Sequence, residues 1–249
     1  MSKQSEDIVF GRHPAVEVLN SNRDINKVFL QDGLSGGKMN EIHKLATKQK
    51  VQVSYVPKSK LDKLVDGKNH QGVVVTASPV AYATLDELYQ VAEDKGEEPF
   101  FILLDGVEDP HNLGSILRTA DATGVHGVII PNRRAVGLTS TVSKASTGAI
   151  EHVPVARVTN MTQTINELKD RGFWIFGTDM DGADYREWNV EGAIGLVIGS
   201  EGNGISHLVK ENVDQMLTIP MVGHVQSLNA SVASSVLMYE VYRKRHPLN

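Results

Sequence analysis

The chain has 249 residues, 41% hydrophobic and 22% charged, which excludes a disordered polymer and allows one large domain or two modest ones. With no cysteine, a disulfide framework and thiolate chemistry are excluded. The longest apolar runs fall far short of the about 20 residues that a membrane helix needs, and the polar first ten residues lack the pattern of an export signal. A cytoplasmic protein is therefore expected, with no membrane partner.

The net charge of −5 is unevenly spread. Residues 1–78 hold 12 Lys/Arg against 8 Asp/Glu, residues 79–98 hold 1 against 6, and residues 99–249 hold 12 against 16. A basic front suits contact with nucleic-acid phosphates. An imbalance of this size is also ordinary for a protein surface, so charge alone leaves both readings open.

In chain order, Pro14 sits where a helix can begin, followed by Val16, Val18 and Leu19. Residues 26–31 and 51–56 read as strands, and Val51, Val53 and Tyr55 alternate with polar neighbours. Between them Met39, Ile42, Leu45 and Ala46 recur at helical spacing. With a further strand over 71–76, the front reads as a small α/β sandwich of four strands and three helices. Residues 77–99, with two prolines and an acidic stretch, read as a join between domains. Within them Thr84 and Glu87 form a capping box for a helix over 84–93.

From Phe100 the strand signals strengthen: 100–105, 127–131, 152–158, 173–178, 193–199 and 215–220, with helices between them, including 161–171 and 227–245. Strands this apolar predict a parallel sheet covered on both faces. Sheets of that kind bind ligands at the carboxyl ends of their strands, so the loops after the strands are where chemistry is expected.

Three loops qualify. The first follows 100–105 and leads through Asn112, read as a helix N-cap, into an apolar stripe of Leu113, Ile116, Leu117 and Ala120 that ends at Gly124. Arg118 lies off that stripe, either a solvated arginine or a functional one. The second, Gly199-Ser-Glu201-Gly-Asn-Gly204, lets the backbone bend tightly, yet it has neither the Gly-Lys-Ser/Thr ending of a P-loop nor a dinucleotide fingerprint. Glu201 would repel a phosphate and suits an arginine, a hydroxyl or a cationic ligand. A plain strand–helix turn is the alternative. The third follows 215–220, passes through Met221, and opens a Ser/Ala-rich helix near Ser227 and Asn229. Close helix packing explains the small residues but not the polar pair at its mouth. The nine histidines and the carboxylates show no ligand spacing, so no metal is expected.

Taken together, Asn112-Leu-Gly…Arg118-Thr-Ala-Asp-Ala, Ile198-Gly-Ser-Glu201-Gly-Asn-Gly204 and Ile219-Pro-Met221…Ser227-Leu228-Asn229-Ala-Ser-Val-Ala resemble the SpoU/TrmH branch of the SPOUT methyltransferases. The front, with Phe10-Gly-Arg-His-Pro-Ala-Val and Asn69-His-Gln-Gly-Val, resembles the RNA-binding domain of RlmB-type enzymes, which methylate a guanosine ribose of 23S ribosomal RNA.

The resemblance implies an RNA-binding domain over 1–78, a linker over 79–98 and a SPOUT domain over 99–249. It further implies a deep trefoil knot and a homodimer packed through the knotted region, with a site that draws on both chains. The cofactor it implies is S-adenosylmethionine, at Thr178, Gly199, Ile219, Met221 and Leu228. Catalytic roles fall on Asn112, Arg118, Glu201, Ser227 and Asn229. Family proposals make the equivalent of Arg118 a general base; because a guanidinium stays protonated, a clamp on an RNA phosphate is expected instead, with Asn112 and Glu201 orienting it. One departure is Lys144-Ala-Ser-Thr-Gly, where relatives carry a more apolar Ala-Cys pair; altered packing rather than altered chemistry is expected there. The alternatives are a transfer-RNA ribose methyltransferase, a non-catalytic ribosome-assembly factor and an NAD-dependent enzyme. The missing fingerprint disfavours the last, and the intact Arg118, Glu201 and Asn229 disfavour the assembly factor.

Overall fold

The computed structural model describes residues 8–21, 23–225 and 227–248. The chain divides into two compact units, one of residues 1–81 with 137–140, the other of residues 82–136 with 141–249.

In the first unit β1 (Ile8–Phe10), β2 (Ile25–Gln31), β3 (Gln52–Val56) and β4 (Val73–Ala77) form one sheet in the order β1-β4-β2-β3. β4 runs antiparallel to β1 and β2, while β2 and β3 are parallel. Alternation along β4 decides what each face buries. Val73 and Val75 join Ala15, Val18 and Leu19 of α1 (Arg12–Asn20) and Ile42 and Ala46 of α2 (Gly37–Lys48). Val74 faces the other way, onto Leu61 and Val65 in and beside α3 (Lys58–Leu64). This is the expected α/β sandwich of four strands and three helices.

The second unit holds six parallel strands in the order β10-β8-β9-β5-β6-β7: β5 (Phe100–Asp105), β6 (Gly127–Pro131), β7 (Val155–Val158), β8 (Trp174–Asp184), β9 (Ile194–Gly199) and β10 (Gln215–Thr218). β9 and all of β5 but Asp105 are buried, as strands at the centre of a two-sided sheet must be. One face packs against α4 (Leu85–Lys95) and α7 (Met161–Asp170) through Leu88, Ile165 and Leu168. α5 (Pro110–Thr123) and α9 (Ala230–Arg245) pack against each other, joined by a 2.9 Å hydrogen bond between the Thr119 and Ser235 hydroxyls. α6 (Ser140–Ser146) and α8 (His207–Lys210) complete the set.

Several elements differ from expectation. α4, expected over 84–93 and capped by Thr84 and Glu87 as expected, runs on to Lys95 before left-handed Gly96, and its Leu88 and Ala92 are fully buried. Asp109, not Asn112, caps α5: its carboxylate accepts the His111 N–H, and Pro110 takes the first helical position. α9 begins at Ala230 rather than Ser227, because Asn229 accepts the Ser231 and Val232 N–H groups. β8 continues past Thr178 to Asp184 because β10 pairs with it there, across a register shift between Met216 and Leu217. In the Lys144-Ala-Ser-Thr-Gly segment, Ser146 is fully buried and its hydroxyl donates to Ser143 O at 3.0 Å. Ala145 and Ser146 pack so close to Gly114 of α5 that a Cβ there would overlap Ala145. No helix among the described residues is long and apolar enough to cross a membrane.

Candidate functional site

Because the sheet of the second unit is parallel, β5, β9 and β10 all deliver their following loops to one edge. β9 lies beside β5, with Gly199 opposite Asp105. The order therefore reverses between these neighbours, the place where open α/β sheets hold ligands.

The glycine loop after β9 is folded on itself. Ser200 N–H donates to Gly204 O at 3.0 Å and Gly204 N–H to Ser200 O at 2.9 Å. A Cβ at Gly199 would overlap the backbone of Gly204 and Ile205, so only glycine lets the two ends of the loop approach this closely. The Asp105 carboxylate accepts the Ser206 N–H at 2.7 Å and pins the loop to β5.

Beside this loop lies a cleft of about 490 Å³ lined by Thr178, Gly199, Ile219, Met221 and Leu228, the five residues expected to hold a cofactor, together with Glu201 and Ser227. Asp179 and Lys210 also line it, and no motif in the sequence marks either. They form an ion pair, and hydrogen bonding by Lys210 holds the Asp179 carboxyl below its ordinary range. The one available signal is that Asp179 follows directly on the strand expected to end at Thr178.

At the lip, three loops are tied together by side chains 89 and 117 residues apart in sequence. Asn112, only 7% exposed, donates through Nδ2 to Glu201 Oε1 at 3.0 Å. Asn229 donates through Nδ2 to Asn112 Oδ1 at 2.9 Å and also to Glu201 Oε1. The Oδ1 of Asn229 caps α9 at the same time, so one side chain starts the helix and closes the network. Glu201 Oε2 has no partner among the described residues.

Arg118 is exposed and makes no hydrogen bond or ion pair among the described residues. It lies outside the lining of the cleft, and neither Asn112 nor Glu201 holds its guanidinium. The structure thus brings Asn112, Glu201 and Asn229 into direct contact, places Ser227 on the cleft wall, and leaves Arg118 on the solvent face of α5. Among the described residues no group of three or more His, Asp or Glu is placed to hold a metal ion.

Residues 99–239 match the SpoU rRNA Methylase family, and residues 8–83 match an RNA 2′-O ribose methyltransferase substrate-binding domain. A TrmH family tRNA/rRNA methyltransferase of Staphylococcus epidermidis is 58% identical over 245 residues, and one of Bacillus subtilis is 53% identical over 246, each alignment covering 98% of both chains. Among solved structures, the SpoU methyltransferase AviRb from Streptomyces viridochromogenes, in complex with the cofactor AdoMet, superposes with a TM-score of 0.60 at 25% identity, covering 96% of this chain and 90% of that one. With its parallel sheet, its three-loop site and these matches along both units, the chain belongs to the SpoU rRNA Methylase family and is an RNA methyltransferase.

Proposed function

We propose that the chain transfers the methyl group of S-adenosylmethionine to a ribose 2′-hydroxyl of RNA, at a guanosine of 23S ribosomal RNA. The observation that carries this reading is the Asn112–Glu201–Asn229 network at the lip of the Gly199 cleft. It fixes a carboxylate oxygen beside a pocket whose walls, apart from the Asp179–Lys210 pair, are mainly backbone, small and apolar groups.

The cleft fits the cofactor chemically. Its volume is within the about 300–1,000 Å³ typical of small-molecule sites. Gly199, Ile219 and Leu228 offer backbone groups to an adenosine, and Thr178 and Met221 bound the same space. Lys210 offsets Asp179, and Glu201 leaves the lining with one carboxylate in excess, which suits a cationic ligand. When bound, S-adenosylmethionine supplies an electrophilic methyl group on a positively charged sulfur, which leaves as a neutral thioether.

The chain's own residues must position the ribose oxygen and ease its proton loss. Holding two reacting groups in line contributes about 7–11 kcal/mol. Glu201 Oε2 accepts from a substrate hydroxyl, and Ser227 hydrogen-bonds at the rim. A guanidinium remains protonated and cannot serve as a base. Arg118 therefore acts as a two-pronged clamp on an RNA phosphate and stabilises the alkoxide forming beside it. Its freedom from internal partners supports that role.

RNA choice is assigned to the first unit and methyl transfer to the second, with the functional boundary at Ala81 and Tyr82. The trefoil knot and a homodimer packed through it rest on family membership. A transfer-RNA substrate is the second reading, since relatives are named tRNA/rRNA methyltransferases. Calorimetry with S-adenosylmethionine and with NAD, followed by transfer of labelled methyl into ribosomal or transfer RNA, tests the proposal. Binding of S-adenosylmethionine alone and 2′-O label in ribosomal RNA are expected. NAD binding, or no label in either RNA, overturns the reading, and label confined to transfer RNA selects the second.

A further inference from the structure

In the first unit, antiparallel pairing of β4 with β1 and β2 brings the ends of β1, β2 and β3 and the start of β4 to one edge of the sheet. A cleft of about 970 Å³ opens there, with Arg12, Lys38, Lys58 and Lys68 on its walls and Asp62 as its one carboxylate. We propose that this cleft is an RNA backbone site that recognises a bent strand through its phosphates, with the Arg12 guanidinium as its fixed anchor. The proposal rests on the RNA methyltransferase reading and adds where and by what chemistry the first unit holds its RNA.

The site is built rather than merely basic. Arg12 Nε donates to Gln71 O at 3.1 Å and the Arg12 backbone N–H donates to Gln71 Oε1 at 3.3 Å. The guanidinium is thereby held by one edge, while its terminal nitrogens have no partner among the described residues. Gln71 itself sits in the left-handed region at φ +52°, a costly conformation for a residue with a side chain.

What keeps it there is the next residue and a buried histidine. Gly72 also has positive φ, +84°, and a Cβ on it would overlap Leu34 across the cleft. Its N–H donates to His70 Nδ1 at 2.9 Å, so the proton of this 3%-exposed ring lies on Nε2 and is donated to Asp62 Oδ1 at 3.1 Å. The only carboxylate on the wall is thus hydrogen-bonded inside the protein, and Lys38 pairs with Glu41 at 3.4 Å, so Arg12, Lys58 and Lys68 carry the uncompensated positive charge.

The ligand class follows from what lines the cleft and what does not. Four cations arriving from the first turns of α1, α2 and α3 and from the loop after α3 suit repeated negative charge, and a guanidinium held by its Nε presents a fork that matches phosphate oxygens. No Phe, Tyr or Trp lines the wall, and His13 is its one exposed ring, so the platform for stacking bases is small beside the set of cations. Contact is therefore with phosphate and sugar, which sets register and orientation rather than reading bases. Lys58 and Lys68 make no hydrogen bond or ion pair among the described residues, so removing them subtracts charge without cutting an internal tie.

The test uses the full chain and transcribed 23S ribosomal RNA, with binding followed across a salt series. Removing Lys58 and Lys68 together is expected to lower the slope of log affinity against log salt by about 0.7–0.9 for each phosphate that is no longer neutralised. Arg12→Ala is expected to weaken binding at least tenfold. Arg12→Lys should keep the slope, because the charge remains, yet still lose affinity, because the fork is gone. Lys48→Ala, on α2 outside the cleft, serves as the control and should change neither. Wild-type affinity and slope in both Arg12→Ala and the double lysine variant would overturn the site. So would poly-glutamate displacing the RNA as effectively as unlabelled RNA does, since that outcome points to an acidic protein partner. Methyl transfer by the wild-type preparation, measured in parallel, separates failure of this site from failure of the enzymatic reading.

Discussion

The basic cleft of the first unit and the glycine-loop cleft of the second are made of opposite materials. In the first unit the wall is basic, and its internal bonds hold one guanidinium, tie one carboxylate to His70 and pair Lys38 with Glu41, while the side chains of Lys58 and Lys68 have no partner among the described residues. In the second unit the wall is mostly glycine, backbone and apolar side chain, and its polar groups largely engage one another: Asp179 with Lys210, and Asn112 and Asn229 with Glu201 Oε1, so that Glu201 Oε2 is left for a substrate. A surface of free charges tolerates displacement of its ligand, because Coulomb forces vary slowly with distance. A cleft shaped by backbone contact does not. Substitutions should therefore act differently in the two places: by charge and salt in the first, by shape and geometry in the second.

The largest expected effect sharpens that contrast at Arg118, the exposed cation on α5. Arg118→Ala should cost about 10²–10³-fold in methyl transfer, the scale of losing a charge-stabilising donor, with cofactor affinity and thermal stability nearly unchanged. Arg118→Lys, followed as a single-turnover rate against pH, should stay slow throughout. Recovery as pH rises toward about 10 would mean that this position works as a base.

Next comes Gly199→Ala. Its methyl must displace the backbone of Gly204 and Ile205, and overpacking of this kind costs about 1–3 kcal/mol. Calorimetry should show S-adenosylmethionine affinity falling about ten- to hundredfold, while RNA binding keeps its salt slope. A change in slope would break the comparison, because it would make the second cleft part of the electrostatic surface.

Asn229→Ala removes a helix cap and two network bonds together. Loss of a cap alone costs about 0.5–2 kcal/mol, so urea unfolding should show a loss in that range accompanied by reduced transfer. Asn229→Asp keeps the capping oxygen but sets a second carboxylate against Glu201. It should recover part of the stability and little of the activity.

The smallest effect lies away from both clefts. His126 Nδ1 accepts the Phe100 N–H at 3.0 Å, Nε2 faces Glu97 at 3.0 Å, and burial pushes the ring below the ordinary histidine value of 6.5. The folded state then binds its proton later than the unfolded chain. This contribution to stability is complete above about pH 6.5 and is lost as pH falls through the folded value. Unfolding curves between pH 5 and 8 should show the decline, and His126→Asn should flatten it.

The architecture is legible in the sequence because its signals are strong and local. β5, β6 and β9 are short apolar runs bounded by turn residues, and the Thr84–Glu87 capping box is a four-residue pattern, so both are readable without knowing what they pack against. The N-cap of α5 is misplaced by sequence reasoning because Asn112 and Asp109 are both good caps by type. Only the tertiary partner Glu201, far away in sequence, shows that Asn112 is turned inward to a different use. The extension of β8 is invisible for a related reason, since β10 rather than the residues of β8 defines it. The motifs locate the cleft walls at Gly199, Ile219 and Leu228, but not the Asp179–Lys210 pair, which meets across 31 residues with no periodic signature. In the first unit, charge counting registers a surplus of lysine and arginine, yet a count cannot show that one guanidinium is held by Gln71 and one carboxylate occupied by His70.

The central claim is that this chain methylates a ribose of ribosomal RNA in the second unit's cleft, with Arg118 supplying charge at the reacting oxygen. Its most direct test is site-resolved 2′-O-methyl mapping of unmodified 23S ribosomal RNA after incubation with S-adenosylmethionine and either the wild-type chain or Arg118→Ala. The account predicts one new 2′-O-methyl guanosine with the wild type and almost none with the variant. An unchanged map with the wild type, or an equal yield from Arg118→Ala, would contradict it.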